Sequence, residues 1–102
     1  MTHSSLDHLH QHHRDFQDFR DLMVQNSAGR FGPIWWGIWD QHLSVPDEAT
    51  IVDLGTGPGM LLPMLRRRYP TSRLIGIEVQ PAMLETARTV AQDIDAEIKT
   101  IL

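Results

Sequence analysis

The sequence predicts an α/β domain in which a helical arm precedes a parallel sheet of three strands. Two short apolar runs, at residues 50–54 and 73–78, are each followed by a segment with helical spacing, and a third run begins at residue 96. Alternating strands and helices with short connections form parallel sheets, because each helix returns the chain to the same end of the sheet. The predicted organisation is therefore a helical arm at residues 1–48 and a β-α-β-α-β unit at residues 49–102.

The arm is predicted to contain two helices. From about Ser5 to Gln25 a stripe of mostly apolar side chains recurs every three or four residues, which indicates an amphipathic helix. The stripe consists of Leu6, Leu9, His13, Phe16, Phe19 and Met23. The stretch Asn26–Gly29 is expected to end this helix. A second helix is expected to begin at Pro33, because the fixed φ of proline suits the first helical position.

The β-branched run from Thr50 to Leu54 predicts a buried first strand. A helix should follow from Met60 to Tyr69, with Pro63 in its first turn, where the amides lack helical partners anyway. The remaining elements are a second strand at residues 73–78, a helix that begins at Pro81 and a third strand from Ala96 to Leu102.

Composition excludes several classes of function. The chain has 102 residues, a formal net charge of −4 and no cysteine. Disulfides and thiolate metal sites are therefore excluded, and the charge disfavours nucleic acid as a partner. No apolar run approaches the roughly 20 residues that cross a bilayer, and residues 1–13 lack the apolar core of a signal peptide. We predict a cytoplasmic protein that does not enter membranes.

Three glycines alternate in the stretch IVDLGTGPG, at positions 55, 57 and 59, and Asp53 precedes them. Glycine permits a positive φ and lets another molecule approach the backbone. The loop after the first strand of a parallel sheet is also where ligands bind. A plain turn would not require three alternating glycines and an acid, so the stretch predicts a ligand site. Met60 stands where a dinucleotide fingerprint needs its last glycine, and the lysine of a P-loop is missing, so a phosphate-binding loop fits poorly.

Residues 53–59, DLGTGPG, resemble the first motif of the class I S-adenosylmethionine-dependent methyltransferases, which is an acid followed by alternating glycines. Leu74–Glu78 and Pro81–Arg88 are similar to the family's second strand and the helix after it. The resemblance covers residues 50–102. It implies half of a Rossmann-like parallel sheet, which belongs to a three-layer α/β/α fold in the complete family. It also implies S-adenosyl-L-methionine as cofactor and methyl transfer as activity.

The resemblance assigns roles to individual residues. Asp53 is expected to order the loop and to hold the ammonium group of the cofactor's methionine through water, with an acid that only braces the loop through backbone amides as a compatible alternative. Glu78 is expected to bind both ribose hydroxyls with its carboxylate, with a solvated acid at a strand end as the alternative. Val79 is expected beside the adenine, with surface packing as an equal alternative. The loop is expected to contact the cofactor through Gly55, Thr56, Gly57 and Gly59. The sequence indicates no catalytic residue and no methyl acceptor.

Three other features have two interpretations each. Five histidines between positions 3 and 13 are interpreted as a solvated polar face rather than a metal site. The aromatic patch Phe31, Trp35, Trp36 and Trp39 is expected to pack in the core. The alternative is that it forms a lid over the cofactor and part of the acceptor pocket. From such a lid, Arg30 is a candidate partner for the cofactor's carboxylate. Residues 66–68, all arginine, are expected to stabilise a helix end rather than to bind nucleic acid.

The family's sheet usually has seven strands, with the first beside the fourth, whereas three strands are predicted here. We therefore expect a partial chain that is marginally stable and inactive alone, and that self-associates or binds a partner chain through the bare edge of its first strand. The alternative function is a non-catalytic binding module that acts through a partner. A nucleotide-binding oxidoreductase half-domain is a third hypothesis.

Overall fold

The structure is a computed structural model that describes the backbone of residues 5–101 and the side chains of residues 14–101. Its elements are α1 (Ser5–Arg30), α2 (Pro33–His42), β1 (Thr50–Leu54), α3 (Leu61–Arg68), β2 (Arg73–Ile77), α4 (Pro81–Gln92) and β3 (Glu97–Lys99). The predicted fold class, a helical arm followed by a β-α-β-α-β unit, is confirmed. The third strand is shorter than predicted, and its expected end at Leu102 lies outside the described residues. The division of the chain at residue 48 stays a prediction.

The strands form one parallel sheet in the order β1-β2-β3. β1 pairs with β2 from Thr50 opposite Arg73 to Leu54 opposite Ile77, and Gly76 of β2 lies opposite Ile98 of β3. Within residues 5–101, no strand pairs with the outer edge of β1. The carboxyl ends of β1 and β2 therefore lie side by side at one end of the sheet.

The prediction of a buried first strand is wrong for one face of β1. Exposure alternates along the strand, with Val52 and Leu54 51% and 78% exposed and Ile51 and Asp53 half-buried. Successive side chains of a strand point to opposite faces, so the described residues cover only the face that carries Ile51 and Asp53. Sequence alone did not reveal this, because a strand covered on one face and a strand covered on both can carry equally apolar residues.

α1 continues through Asn26–Gly29, where we expected it to end. Ser27 is buried, and its hydroxyl donates to the carbonyl oxygen of Val24 at 3.0 Å, a local bond that is compatible with a helix. The amide of Phe31 then donates to the carbonyl oxygen of Ser27 at 3.0 Å. Burial and these bonds override the weak intrinsic preference of this stretch against helix.

The stripe of α1 is only partly covered. Phe16 and Phe19 are exposed, whereas Met23 is half-buried above the loop that follows β1. The guanidinium of Arg20 donates to the carbonyl oxygen of Ala82 at 3.4 Å, which ties α1 to the start of α4. The side chains of Leu6, Leu9 and His13, which belong to the same stripe, lie outside the described residues.

The core lies between the sheet and the helices α3 and α4. Leu62, Leu65 and Leu74 form its buried centre, and Trp36 and Trp39 of α2 pack against it. The indole nitrogen of Trp39 donates to the hydroxyl of Tyr69 at 2.7 Å. The prediction of core packing is thus confirmed for two members of the aromatic patch. α4 buries the face formed by Ala82, Met83, Leu84, Ala87 and Ala91.

The three arginines end α3 as predicted, yet two of them bind other segments of the chain. Arg66 donates to the carbonyl oxygens of Ser72 at 2.6 Å, Ile94 at 2.9 Å and Asp95 at 2.9 Å, and so joins α3 to the loop before β2 and to the loop before β3. Arg68 pairs with Asp40 and stacks over the Trp36 ring, 4.3 Å from its centroid. In the part of the chain that the structure describes, no helix has the length and apolar character needed to span a membrane.

Candidate functional site

The loop between β1 and α3, residues 55–60, lies at the carboxyl ends of β1 and β2. The amides of Gly55 and Thr56 both donate to the carbonyl oxygen of Ile77, at 2.9 and 3.0 Å. The ladder between the two strands is thereby extended into the loop, which anchors it at the end of β2. This is the place where open parallel sheets bind ligands.

All three glycines of the loop have a positive φ, of 72° at Gly55, 60° at Gly57 and 83° at Gly59. Their surroundings differ, as the position of an added Cβ shows. At Gly59 it would lie 3.2 Å from the Cα of Ala87 in α4, and at Gly57 it would lie 3.0 Å from the Cε of Met23 in α1. At Gly55 it would meet nothing within 4 Å. Gly59 therefore allows the loop to pack closely against α4, and Gly57 lies beneath α1. Gly55 presents backbone without a side chain to open space.

Gly76 is a site residue that our sequence analysis missed. A Cβ at this position of β2 would lie 2.9 Å from the Cγ2 of Thr56 and 2.9 Å from the Cδ1 of Ile98. The absent side chain lets Thr56 pack down on the sheet, which places the loop. A glycine inside an apolar strand often marks such a close approach, so the run RLIGIE contained the signal.

Glu78 connects two motifs that are separate in the sequence, the glycine loop after β1 and the segment that follows β2. Its Oε1 accepts a hydrogen bond from the amide of Gly57 at 2.9 Å. Its Oε2 accepts from the amides of Val79 at 2.8 Å and Gln80 at 3.1 Å. The half-buried carboxylate thus binds the glycine loop to the start of α4. A carboxylate offers about four lone-pair sites, and three amides use it here, so about one acceptor site remains for a ligand.

Asp53 lies on the half-covered face of β1, directly before the loop. Burial raises the pKa of its carboxyl above the ordinary value, the neighbouring side chain of Thr56 and the positive charge of Arg30 oppose this rise, and the charge of Glu78 adds to it. Thr56 is itself buried. The site therefore contains a half-buried acid whose negative charge is costly and is partly offset by Thr56 and Arg30.

A cavity of about 270 Å³ opens beside the loop. The sheet and loop supply one wall, and the end of α1 and the start of α2 supply the other. The lining residues are Met23, Arg30, Phe31, Trp35, Asp53, Leu54, Gly55, Thr56, Pro58, Met60 and Leu61. Phe31 and Trp35, the other two members of the aromatic patch, therefore face this cavity rather than the core.

The residues predicted for the site lie at one end of the sheet. Asp53, the loop and Glu78 are linked by the contacts described above, whereas Val79 is 57% exposed next to Glu78. Glu78 and Val79 do not line the cavity. Among the residues whose side chains are described, no three histidines or carboxylates come together as a metal site. His3, His8, His10, His12 and His13 lie outside that set.

A three-stranded parallel sheet with a glycine loop at its carboxyl end, covered by alternating helices, is a Rossmann-like arrangement. The family model of the methyltransferase domain matches residues 51–102, which is half of the chain. The chain therefore belongs to this methyltransferase family, and the resemblance to class I S-adenosylmethionine-dependent enzymes is confirmed.

Individual relatives agree with this assignment. The chain is 35% identical over 61 residues to trans-aconitate 2-methyltransferase of Enterobacter sp. (strain 638), a match that covers 57% of this chain and 24% of the relative. A methyltransferase solved in complex with the Trm112 activator of Haloferax volcanii superposes on 86% of this chain with a TM-score of 0.64 at 23% identity, and 36% of that structure is covered. An S-adenosylmethionine-dependent methyltransferase of Thiobacillus denitrificans, solved with S-adenosyl-L-homocysteine, gives a TM-score of 0.54 at 22% identity, over 80% of this chain and 36% of that one. At these identities the two structures show a shared fold. The chain spans about a quarter of the length of the curated relative.

Proposed function

We propose that this chain is the S-adenosylmethionine-binding part of a methyltransferase that transfers the cofactor's methyl group to an acceptor. One observation carries the proposal: the backbone at Gly55 is bare and open, and the carboxylate of Glu78 is bound to the same loop at Gly57. An adenosyl ligand needs such a combination, a surface without side chains and an acceptor for its sugar hydroxyls.

The residues present fit most of the roles that the resemblance implied. Glu78, with about one acceptor site left beside its three bonds to amides, would bind one ribose hydroxyl. Val79, exposed next to it, would contact the adenine. Asp53, at the wall of the cavity, would hold the ammonium group through water. The backbone at Gly55 and Thr56 would lie along the ligand. Gly57, which lies beneath α1, and Gly59, which contacts α4, would support the loop.

The cofactor supplies an activated methyl group, so the protein's task is mainly to hold the cofactor and the acceptor in line. Within this chain, Glu78 and the loop would orient the sugar, and the walls of the cavity would exclude water from one end of the ligand. The acceptor and any catalytic group stay unassigned. We also propose the cytoplasmic location that composition predicted.

Isothermal titration with S-adenosyl-L-homocysteine tests this function. We expect saturable binding by the native chain. Glu78→Ala should weaken it roughly 10- to 100-fold, because hydrogen bonds to a charged group contribute about 1.5–3 kcal/mol. Glu85→Ala, which removes the same charge from the exposed face of α4, is the matched control and should bind like the native chain.

Glu78→Gln controls for a disordered glycine loop, because glutamine keeps the shape of the side chain and one acceptor oxygen. Its far-UV circular dichroism should match that of the native chain while its affinity falls. Absence of binding by the native chain, or equal affinities for the Glu78 and Glu85 variants, would contradict the proposal. Stronger binding of a nicotinamide dinucleotide in the same titration would favour the oxidoreductase hypothesis.

The second candidate is a non-catalytic module that acts through another chain. It is favoured by the outer edge of β1, which no strand of the described residues pairs, and by the exposed side chains of Val52 and Leu54. It predicts no cofactor binding together with self-association, measured by sedimentation equilibrium. Val52→Lys should abolish that association, because a charge on an edge strand opposes pairing.

A further inference from the structure

A groove lies along α3, where the turn between α1 and α2 packs beside this helix. It has a volume of about 390 Å³ and is separate from the cavity beside the glycine loop, although Phe31 borders both. Its apolar lining residues are Ala28, Phe31, Pro33, Trp36 and Met64. Its ionisable lining residues are Arg67 and Arg68. The groove is therefore apolar and carries positive charge.

Arg67 supplies the part of this charge that no described residue compensates. Arg66 is bound to backbone carbonyl oxygens, and Arg68 pairs with Asp40. Arg67 is exposed on the same turn of α3, and no described residue accepts a hydrogen bond from its guanidinium or forms an ion pair with it. The whole chain has a net charge of −4, so this is a local exception. The groove therefore fits apolar side chains that have a carboxylate beside them.

α1 carries a surface of this complementary kind. Its exposed apolar side chains include Phe16, Phe19 and Leu22, with exposed fractions of 40%, 53% and 53%. At 3.6 residues per turn, Phe19 and Leu22 lie roughly 140° and 160° around the helix from Val24, which is half-buried. Asp18, one turn before Leu22, is exposed and has no partner among the described residues. We call Asp18, Phe19 and Leu22 the acidic face of α1.

The acidic face cannot enter the groove of its own chain. Ala28, which lines the groove, follows Phe19 in the same continuous helix. At a rise of about 1.5 Å per residue, the two positions lie about 14 Å apart along the axis of α1. A helix does not bend back on itself over this distance. The two complementary surfaces of this chain can therefore meet only between copies.

We infer that copies of this chain associate head to tail, with Phe19 and Leu22 of one copy in the groove of the next. Asp18 then faces Arg67. This is the helix-in-groove mode of recognition, in which apolar side chains three or four residues apart act as anchors. The two contacting surfaces differ, so a pair of copies keeps one unused groove and one unused acidic face. Association therefore continues beyond the dimer, into a ring or a filament. The contact involves neither the edge of β1 nor the cofactor site, so it goes beyond the proposed function.

The test uses two variants that each disable one surface. Phe19→Asp disables the acidic face, and Arg67→Glu reverses the free charge of the groove. All proteins in the test, the reference included, also carry Val52→Lys, which suppresses pairing through β1. In sedimentation velocity over a concentration series, we expect the reference to form species larger than a dimer. Each variant should weaken this association about tenfold or more, because an unpaired or a like charge then lies at the contact.

Arg88→Glu is the matched control for the groove variant. It makes the same charge change at an exposed arginine of α4 and should associate like the reference. An equimolar mixture of the Phe19→Asp and Arg67→Glu proteins gives the sharpest result. Such a mixture contains one intact groove and one intact acidic face per pair, so it should form dimers and nothing larger. Far-UV circular dichroism that matches the reference shows that both variants are folded.

Three outcomes overturn the inference: a reference that stays monomeric at every concentration, a mixture that stays monomeric, and a mixture that grows beyond dimers. Weakening by Arg88→Glu equal to that by Arg67→Glu overturns the role of the groove. Titration with S-adenosyl-L-homocysteine reports on the proposed function alone, so failure of cofactor binding and failure of this association are distinguishable.

Discussion

Gly55 and Gly59 have similar positive φ angles, of 72° and 83°, yet replacing each by alanine should impair a different property of the protein. In Gly59→Ala the new Cβ would lie 3.2 Å from the Cα of Ala87 and 3.4 Å from its Cβ, where helix backbone cannot move aside. Overpacking of this kind costs about 1–3 kcal/mol, and the left-handed backbone adds about 1–2 kcal/mol for a residue with a Cβ. The free energy of unfolding should therefore fall by about 2–5 kcal/mol, a large part of the 5–15 kcal/mol typical of a domain.

In Gly55→Ala only the backbone term applies, because an added Cβ meets nothing within 4 Å. We expect a loss of about 1–2 kcal/mol in stability. The methyl group would project into the space where we place the cofactor, so the affinity for S-adenosyl-L-homocysteine should fall much further than the stability does.

Urea unfolding followed by tryptophan fluorescence measures the first effect, and isothermal titration measures the second. Gly37→Ala is the control: Gly37 lies inside α2 and its Cβ would also meet nothing within 4 Å, so alanine should raise stability by up to about 1 kcal/mol. If Gly59→Ala unfolds at the same urea concentration as Gly55→Ala, the packing argument is refuted. If Gly55→Ala binds like the native chain, the ligand does not lie over this residue.

Two further predictions concern charged groups. Arg66→Met should lower the free energy of unfolding by about 2 kcal/mol, because hydrogen bonds from a charged group to several carbonyls are lost. Arg67→Met removes an exposed arginine of the same helix and should change that free energy by no more than about 0.5 kcal/mol in urea unfolding. Equal losses in the two variants would contradict the stabilising role of the Arg66 hydrogen bonds. Asp53→Asn should stabilise the unliganded chain at neutral pH. Since folding raises the pKa of Asp53, the folded state binds more protons than the unfolded state, and the stability contributed by this group falls as pH rises from about 4 through the raised pKa. Urea midpoints of the two proteins should converge below pH 4 and separate above it, and a constant gap would count against this reading.

The strands and the glycine loop were predictable because their signals are local. β-branched residues at positions 50–54, a proline at the first position of α2 and of α4, and alternating glycines each restrict the backbone of a few residues. For the same reason Pro63 could be placed correctly in the first turn of α3. The family resemblance then supplied the roles of Asp53 and Glu78, which no local preference contains.

The length of α1 and the cover on β1 were not predictable from local preference. Ser27 continues the helix because it is buried and bonded to Val24, which depends on what packs around it. Val52 and Leu54 are exposed because nothing among the described residues covers their face. Apolar character indicates that a side chain tends to be buried, but the tertiary structure decides whether a neighbour is present to bury it.

The sequence alone determined the order of the elements and the turn after β1, since these follow from the conformational limits of neighbouring residues. The type of ligand followed from the resemblance of the motifs to the methyltransferases. The tertiary structure decided which of the three glycines faces open space, that Gly76 makes room for Thr56, and that the Glu78 carboxylate binds the amide of Gly57, 21 positions away. It also brought Arg30 of the arm beside Asp53 of the sheet. Contacts between distant residues depend on how strands pair and helices pack, and the energies of those contacts, rather than local preference, select the arrangement.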